Sequence, residues 1–202
     1  MTKLCESLIK SDISFDCDNQ SVRGLEPDGK IINRNDIDFS KTVFDDTHKN
    51  IIKTLVLKSG KKAYDVVQMG STPFSGVQST LNVGTYHNTW QHQIPIAVLN
   101  NTPEVCDEII DGLANGSFVV ILRNKAKGTD GSAEFQVYGY ANGLVASAGT
   151  NEKYSEDTDG GWLMTLQETA ATKSAMFYFN SDATTTAKQY DSLSTASTTT
   201  GA

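Results

Sequence analysis

Two histidines, His87 and His92, lie close enough in the sequence to suggest metal binding or proton transfer. They fall in one predicted strand, residues 85–99, at an odd separation. Successive side chains of a strand point to opposite faces, so these two imidazoles share a metal ion only if a bulge intervenes. His48 lies alone far upstream. The histidines therefore predict no metal site.

Residues 24–30 match most of a phosphate-binding P-loop, since two glycines bracket a short insert and Lys30 follows the second. Ile31, however, stands where the motif needs a Ser or Thr to hold magnesium, and two acidic residues within the loop would repel phosphates. The better interpretation of this stretch is a Pro-Asp-Gly turn.

Asp157 and Asp159, with two glycines after them, are similar to part of a calcium-binding loop. Trp162 occupies the position where that loop requires glycine, and Gly161 stands where it requires an oxygen ligand. An acidic turn between two strands is therefore the prediction.

The sequence offers no local signature of an activated nucleophile. Cys106 lies on the apolar face of a predicted helix, and residues 70–72 lack the pattern of a nucleophile elbow. Catalytic triads assemble from distant residues, so a hydrolase with a dispersed site stays open as an alternative. We predict that the chain is not an enzyme and holds no catalytic, cofactor-binding or metal-ligating residue.

Four aromatic residues, Tyr86, Trp90, Tyr138 and Tyr140, could form a surface that stacks on bases or sugars. Aromatic side chains more often serve core and interface packing. Both interpretations remain open on the sequence alone.

The 202 residues carry a formal net charge of -7. Proteins that grip nucleic acid phosphates concentrate Lys and Arg on one face, and the densest basic stretch here is Lys58, Lys61 and Lys62. We interpret that stretch as a solvated hairpin turn. The composition therefore argues against tight binding to nucleic acid.

No segment approaches the roughly 20 consecutive apolar residues that a membrane span requires, and residues 1–10 are too weakly apolar for a secretory signal. Cys5, Cys17 and Cys106 are too few and too scattered for a disulfide framework. We predict reduced thiols and no association with a membrane.

One helix is predicted over residues 102–115. Thr102 can accept a hydrogen bond from a free backbone N–H at the start, and Pro103 suits the first helical position. Asn115 with Gly116 predicts a left-handed stop. The apolar residues at helical spacing are Val105, Cys106, Ile109, Ile110 and Leu113.

The rest of the pattern is typical of β-structure. Residues 118–122 form a β-branched run that predicts a buried strand, and Pro95 predicts an edge or a bend in the long strand 85–99. In residues 133–140, Phe135 and Val137 are expected to face one side, and Tyr138 and Tyr140 the other. The remaining predicted strands are a hairpin of residues 51–57 and 64–69, then 143–148, 162–167 and 175–179.

These elements predict a mainly β fold: an antiparallel β-sandwich or barrel with a single flanking α-helix, a long hairpin arm and extended termini. Residues 1–50 are expected to form an extended N-terminal arm. Residues 51–180 would form the core, with its helix at 102–115. Residues 181–202 form a Ser/Thr-rich tail, whose composition predicts that it needs a partner to become ordered.

The segments resemble the tail tube (major tail) proteins of tailed bacteriophages. Those proteins carry a small antiparallel β-barrel or sandwich, one flanking helix, a hairpin that extends the sheet, and arms that grip neighbouring rings. Here residues 101–116 are similar to that helix, residues 80–99 to the hairpin arm, and residues 143–148 and 160–166 to the closing strands.

The resemblance implies a structural virion protein that self-assembles into rings, usually hexameric, by extending its sheets edge to edge. Stacked rings would form the tail tube, the conduit for DNA ejection. The implied partners are copies of itself and other phage tail proteins, with no membrane. The implied location is the virion tail, after synthesis in the host bacterial cytoplasm.

Within such a tube, DNA would pass through the lumen without specific binding. The net negative charge further suggests a lumen lined with carboxylates that repel DNA phosphates.

Two groups of alternatives remain open. One is another virion component: a tail terminator, a head-to-tail ring protein or a capsid decoration protein. The other is a monomeric carbohydrate-binding β-domain that uses Tyr86, Trp90 or Tyr138 as stacking platforms.

Overall fold

The structure is a computed structural model that describes Ile9, residues 11–13, Cys17 and residues 20–196. Its strands are β1 (Leu25–Asn33), β2 (Val43–Phe44), β3 (Ile51–Thr54), β4 (Tyr64–Val67), β5 (Gln78–Asn82), β6 (Thr89–Val98), β7 (Phe118–Asn124), β8 (Phe135–Tyr138), β9 (Val145–Thr150), β10 (Trp162–Ala171) and β11 (Met176–Tyr178). Its helical segments are a 3-10 turn (Arg34–Asp36), α1 (Pro103–Val105), a π turn (Cys106–Ile110), α2 (Asp111–Asn115) and α3 (Ala183–Ser192).

The strands form two sheets. A seven-stranded sheet has the order β2-β3-β11-β8-β7-β1-β4, and a four-stranded sheet has the order β5-β6-β10-β9. Neighbouring strands are antiparallel except for β11 and β3, which are parallel. The predicted mainly β sandwich with a flanking helix is confirmed.

Strand β7 shows how the layers are organised. Phe118, Val120 and Leu122 pack into a first core shared with the four-stranded sheet, where Ile94 and Leu166 are fully buried. Val119 and Ile121 point the other way, into a second core. Both faces of the seven-stranded sheet are therefore covered at β7, which explains why residues 118–122 are apolar without interruption.

The prediction of an extended N-terminal arm is wrong for residues 25–44. Residues 25–33 form β1, which lies inside the seven-stranded sheet between β7 and β4. The predicted Pro-Asp-Gly turn is wrong for the same reason, since the stretch instead forms a register shift between Leu25 and Gly29. A bulge uses the same turn-forming residues within a strand, so composition alone does not separate the two.

The tail that was expected to need a partner contains a second helix. Asp182 caps α3 by accepting a hydrogen bond from Thr185 N at 2.8 Å. Tyr190 and Leu193 are buried in the second core, and the ring of Tyr190 lies 4.4 Å from that of Phe135. These two large side chains at helical spacing thus order a segment whose other residues are polar or alanine.

The hairpin predicted for residues 51–57 and 64–69 is also wrong. β3 pairs with β2 and β11, whereas β4 pairs with β1 near the opposite end of the sheet. In the connecting turn, Lys58 Nζ donates to Asn35 O at 2.5 Å and Lys61 lies 3.2 Å from Asp36. These lysines hold the turn to the neighbouring 3-10 segment.

The helical segment 103–115 begins as predicted. Thr102 Oγ1 accepts a hydrogen bond from Val105 N at 3.4 Å, and Pro103 is its first residue. The predicted left-handed stop is wrong, because Gly116 is extended at φ -91°. Ile109 is 44% exposed, so it is not part of the buried face; the five-residue π turn shifts the helical spacing there.

The predicted alternation of faces in residues 133–140 is confirmed up to Tyr138. Phe135 and Val137 lie in the second core and Tyr138 in the first. Tyr140, expected beside Tyr138, packs against the second core instead. Gly139, at φ +79°, interrupts the alternation between them.

Candidate assembly surface

The four-stranded sheet ends in two edge strands, β5 and β9. Among the described residues, β5 pairs only with β6, through residues 78–82 and 89–93, and β9 pairs only with β10. Within the described part of the chain, no turn or loop backbone hydrogen-bonds to the free side of either strand. Each edge therefore has a row of backbone N–H and C=O groups without a backbone partner among the described residues.

The side chains of β5 and β9 are unusual for edge strands that remain unpaired. β5 reads Gln-Ser-Thr-Leu-Asn and β9 reads Val-Ala-Ser-Ala-Gly-Thr, without a charge or a proline. Natural edge strands are normally protected by lysine, proline, short length or bulges. β9 has one register irregularity, opposite Thr165 and Leu166, and the short helix α2 lies beside it.

The two edge strands of the seven-stranded sheet differ from β5 and β9, because one is short and the other carries a charge. Its edge strand β2 is two residues long. Its other edge strand, β4, carries Asp65, which pairs with Lys30 at 2.6 Å. Shortness and charge are the common ways to discourage strand addition, so the two sheets contrast clearly.

The β5–β6 hairpin tip adds exposed apolar surface. Val83 is 83% exposed and Tyr86 is 96% exposed, with Leu81 just before them on β5. Gly84 N donates to Asn88 Oδ1 at 3.3 Å, which orders the turn. The predicted hairpin arm is therefore present. Pro95 lies in β6 beyond Gln93, where the pairing with β5 begins, so its missing N–H interrupts no bond to β5.

His92 is buried on the face of β6 that also carries Ile94 and Ile96, and it is hydrogen-bonded at both ring nitrogens. Nε2 lies 3.1 Å from Lys173 O, so Nε2 is the protonated nitrogen and donates to that carbonyl. Nδ1 then accepts from Ser79 Oγ at 2.7 Å. This order of hydroxyl, imidazole and orienting acceptor is the arrangement that a hydrolase uses. Sequence reasoning missed the pair because it depends on the register of β5 against β6.

A second buried polar group, Glu168, lies opposite His92 on β10. Its carboxylate accepts hydrogen bonds from Gly139 N at 3.0 Å and Asn142 N at 2.8 Å. Asn142 Nδ2 in turn donates to Thr169 O at 2.9 Å. Glu168 therefore ties the turn between β8 and β9 to β10, and so holds edge strand β9 in place. Beside these residues lies a cavity of about 240 Å³.

The other residues considered for chemistry are dispersed. His87 is exposed in the hairpin tip and His48 is exposed in the loop before β3. Asp157 and Asp159 lie in the loop between β9 and β10, which confirms an acidic turn between strands. Over the described residues, no group of three or more His, Cys, Asp or Glu side chains could hold a metal ion.

The four aromatic residues do not form one surface. Tyr138 is buried, and desolvation raises the pKa of its hydroxyl. The ring of Tyr140 packs edge-on against those of Phe39 and Phe44, at 5.3 and 5.4 Å. Tyr86 is fully exposed at the hairpin tip and Trp90 is partly exposed. Two of the four, Tyr138 and Tyr140, therefore serve packing.

The two cysteines that the structure describes differ in exposure. Cys17 is exposed and Cys106 is half-buried, and both are free. Cys5 lies outside the described residues.

Comparison of the chain with protein-family models, with curated proteins and with solved structures finds no match in any of the three. Among the helices that the structure describes, none combines the length and the apolar character needed to cross a bilayer.

Proposed function

We propose that this chain is a self-assembling structural subunit of a bacteriophage virion, namely a tail tube protein without enzymatic activity. The observation that carries the proposal is the pair of unprotected edges, β5 and β9, at opposite ends of one four-stranded sheet. Backbone pairing between β5 of one copy and β9 of the next would continue the sheet from subunit to subunit.

Such a contact is heterologous, because each subunit uses a different edge on its two sides. Heterologous contacts generate closed rings when the rotation between copies closes. The right-handed twist of strands supplies a constant rotation per added sheet. Stacked rings would then form the tube, with the exposed hairpin tip around Val83 and Tyr86 available to neighbouring rings.

Under this proposal the partners are other copies of the chain and other phage tail proteins, and the location is the virion. DNA would pass along the tube during ejection without specific binding. Tail terminators, head-to-tail rings and capsid decoration proteins share self-association, and electron microscopy separates them: stacked tubes of variable length favour a tube subunit over a single ring.

The carbohydrate-binding alternative retains only Tyr86 and Trp90 as stacking groups, since Tyr138 is buried. The hydrolase alternative retains Ser79 and His92.

The test uses one variant for each edge. T80K with N82K places two lysines on β5, and A148K with T150K places two on β9. Each variant alone offers one intact edge and should remain monomeric by light scattering. An equimolar mixture should form a dimer, because the intact β9 of the first meets the intact β5 of the second. S59K, in an exposed turn of the other sheet, is the control and should assemble like the unmodified chain.

Unmodified protein that stays monomeric at every concentration would overturn the proposal. Assembly that survives in both edge variants would also overturn it.

A further inference from the structure

A cavity of about 630 Å³ lies where β1 begins and β7 ends, against the loop of residues 68–77 that joins β4 to β5. Arg23 and Lys125 line its mouth, and both are exposed. Leu25 and Val77 line its floor, where they pack against the first core. The volume falls in the range of sites that bind small organic molecules.

The residues that line this cavity include two cations and no carboxylate, although the chain has 24 acidic residues against 17 basic ones. Within the described part of the chain, neither Arg23 nor Lys125 forms an ion pair. Asp28 of β1 lies instead 3.7 Å from Arg123, whose guanidinium contacts the Phe135 ring of the second core. The cavity is therefore locally positive in an acidic protein, which favours an anionic ligand.

The loop supplies hydroxyl groups on a fixed backbone. Ser71, Thr72 and Ser75 line the cavity and are exposed. Phe74 N donates a hydrogen bond to Gln68 Oε1 at 3.2 Å, and the Phe74 ring is buried in the first core. These contacts hold the loop, so its hydroxyls can donate to a ligand without first being ordered.

The inner end of the cavity contains Tyr138, which is only 5% exposed. Among the described residues its hydroxyl has no hydrogen-bond partner, and burial alone raises its pKa. A buried O–H group without an acceptor costs free energy. An acceptor atom of a ligand placed at this end would remove that cost.

We propose that this cavity binds a phosphate monoester whose organic part is apolar and carries a hydrogen-bond acceptor. The phosphate, with a charge near -2 at neutral pH, would bind Arg23 and Lys125 at the mouth. The organic part would lie on Leu25 and Val77, with its acceptor at the Tyr138 hydroxyl. The site goes beyond the proposed structural function and does not depend on assembly.

The test titrates the unmodified chain with 4-acetylphenyl phosphate, whose carbonyl supplies the acceptor, and separately with inorganic phosphate. Isothermal titration calorimetry in a phosphate-free buffer measures both affinities. The ester should bind about tenfold more tightly than inorganic phosphate, because only the ester uses the apolar floor and the buried hydroxyl.

A pair of charge variants tests the mouth of the cavity. R23Q combined with K125Q should weaken binding of the ester about tenfold, since charge-assisted hydrogen bonds to the phosphate are lost. K153Q combined with K188Q removes the same charge from exposed positions elsewhere and should bind the ester like the unmodified chain.

Y138F tests the inner end, because it removes the hydroxyl and keeps the buried ring. It should weaken binding of the ester about threefold and leave the affinity for inorganic phosphate unchanged. Equal affinities of Y138F and the unmodified chain for the ester would overturn the placement of the acceptor at Tyr138.

Absence of ester binding by the unmodified chain would overturn the site. Equal weakening by the two charge pairs would also overturn it, since net charge alone would then explain binding. Inorganic phosphate that binds as tightly as the ester would overturn the ester assignment and identify free phosphate as the ligand. A chain that binds the ester and stays monomeric would support this site while overturning the proposed assembly.

Discussion

Lys30 Nζ lies 2.6 Å from Asp65 Oδ1, which joins the inner strand β1 to the edge strand β4. The Lys30 side chain is 6% exposed and Asp65 is 62% exposed. Ser194 Oγ contacts the same two groups, and Lys30 Nζ lies 4.7 Å from the centre of the Tyr190 ring. One buried cation thus links β1, β4 and the C-terminal segment.

We expect Asp65→Asn to lower the free energy of unfolding by about 1–2 kcal/mol, because it leaves the buried ammonium with a weaker partner; solvent screening at the exposed carboxylate limits the cost. Urea unfolding measures this change in the free energy of unfolding. Asp191→Asn, an exposed acid on α3, is the control and should change stability little. Equal stability of both variants would contradict the role given to the pair.

Tyr190 closes the second core from the C-terminal side. Tyr190→Ala should lower the free energy of unfolding by about 3 kcal/mol, since it removes a large buried ring that packs on Phe135. Lys188→Ala, on the exposed side of the same helix, is the matched control. If the midpoint temperature of unfolding fell by the same amount in the two variants, α3 would not pack on the second core as described.

Glu168 should be required for the β8–β9 turn. Glu168→Ala leaves two backbone N–H groups without an acceptor, and we expect it to cost about 2–3 kcal/mol of stability. Amide hydrogen exchange should accelerate at Gly139 and Asn142 first. Glu156→Ala, in the exposed β9–β10 loop, should leave both amides protected as before.

Asp45 should titrate well below an ordinary carboxyl group. Hydrogen bonds from His48 N, from Lys53 and from Thr47 N lower its pKa to about 2. The folded-state pKa lies below the unfolded value, so the stability that Asp45 contributes is present above about pH 4 and is lost as the pH falls toward 2. Carboxyl NMR shifts measure the titration directly, and a midpoint near pH 4 in the folded protein would contradict these hydrogen bonds.

Ser79 should not act as a nucleophile if the proposed structural role is right. We expect no covalent adduct at Ser79 when the protein is treated with a fluorophosphonate, and no loss of assembly in Ser79→Ala. An adduct at Ser79 that disappears in His92→Ala would favour the hydrolase alternative instead, because it would show an activated hydroxyl.

Local signals in the sequence were sufficient where structure depends on near neighbours. Thr102 and Pro103 mark the start of the helical segment because capping acts within one turn, and residues 118–122 predict β7 because a β-branched run has few other uses. The pattern also predicted the mainly β class and the faces of Phe135, Val137 and Tyr138, whereas the β5–β6 hairpin was expected only from the resemblance: the pattern predicted one strand over residues 85–99, of which β6 covers Thr89–Val98.

Tertiary structure alone decided which strands pair and which polar groups meet. Residues 51–57 and 64–69 alternate as a hairpin would, yet they join opposite regions of one sheet, because alternation specifies a face and not a partner. β1 and α3 escaped prediction since their stability comes from distant contacts, with β7 and with Phe135. The Ser79–His92 pair and the contact of Glu168 with two backbone amides depend on strand register and on distant turns, which no short stretch of sequence contains.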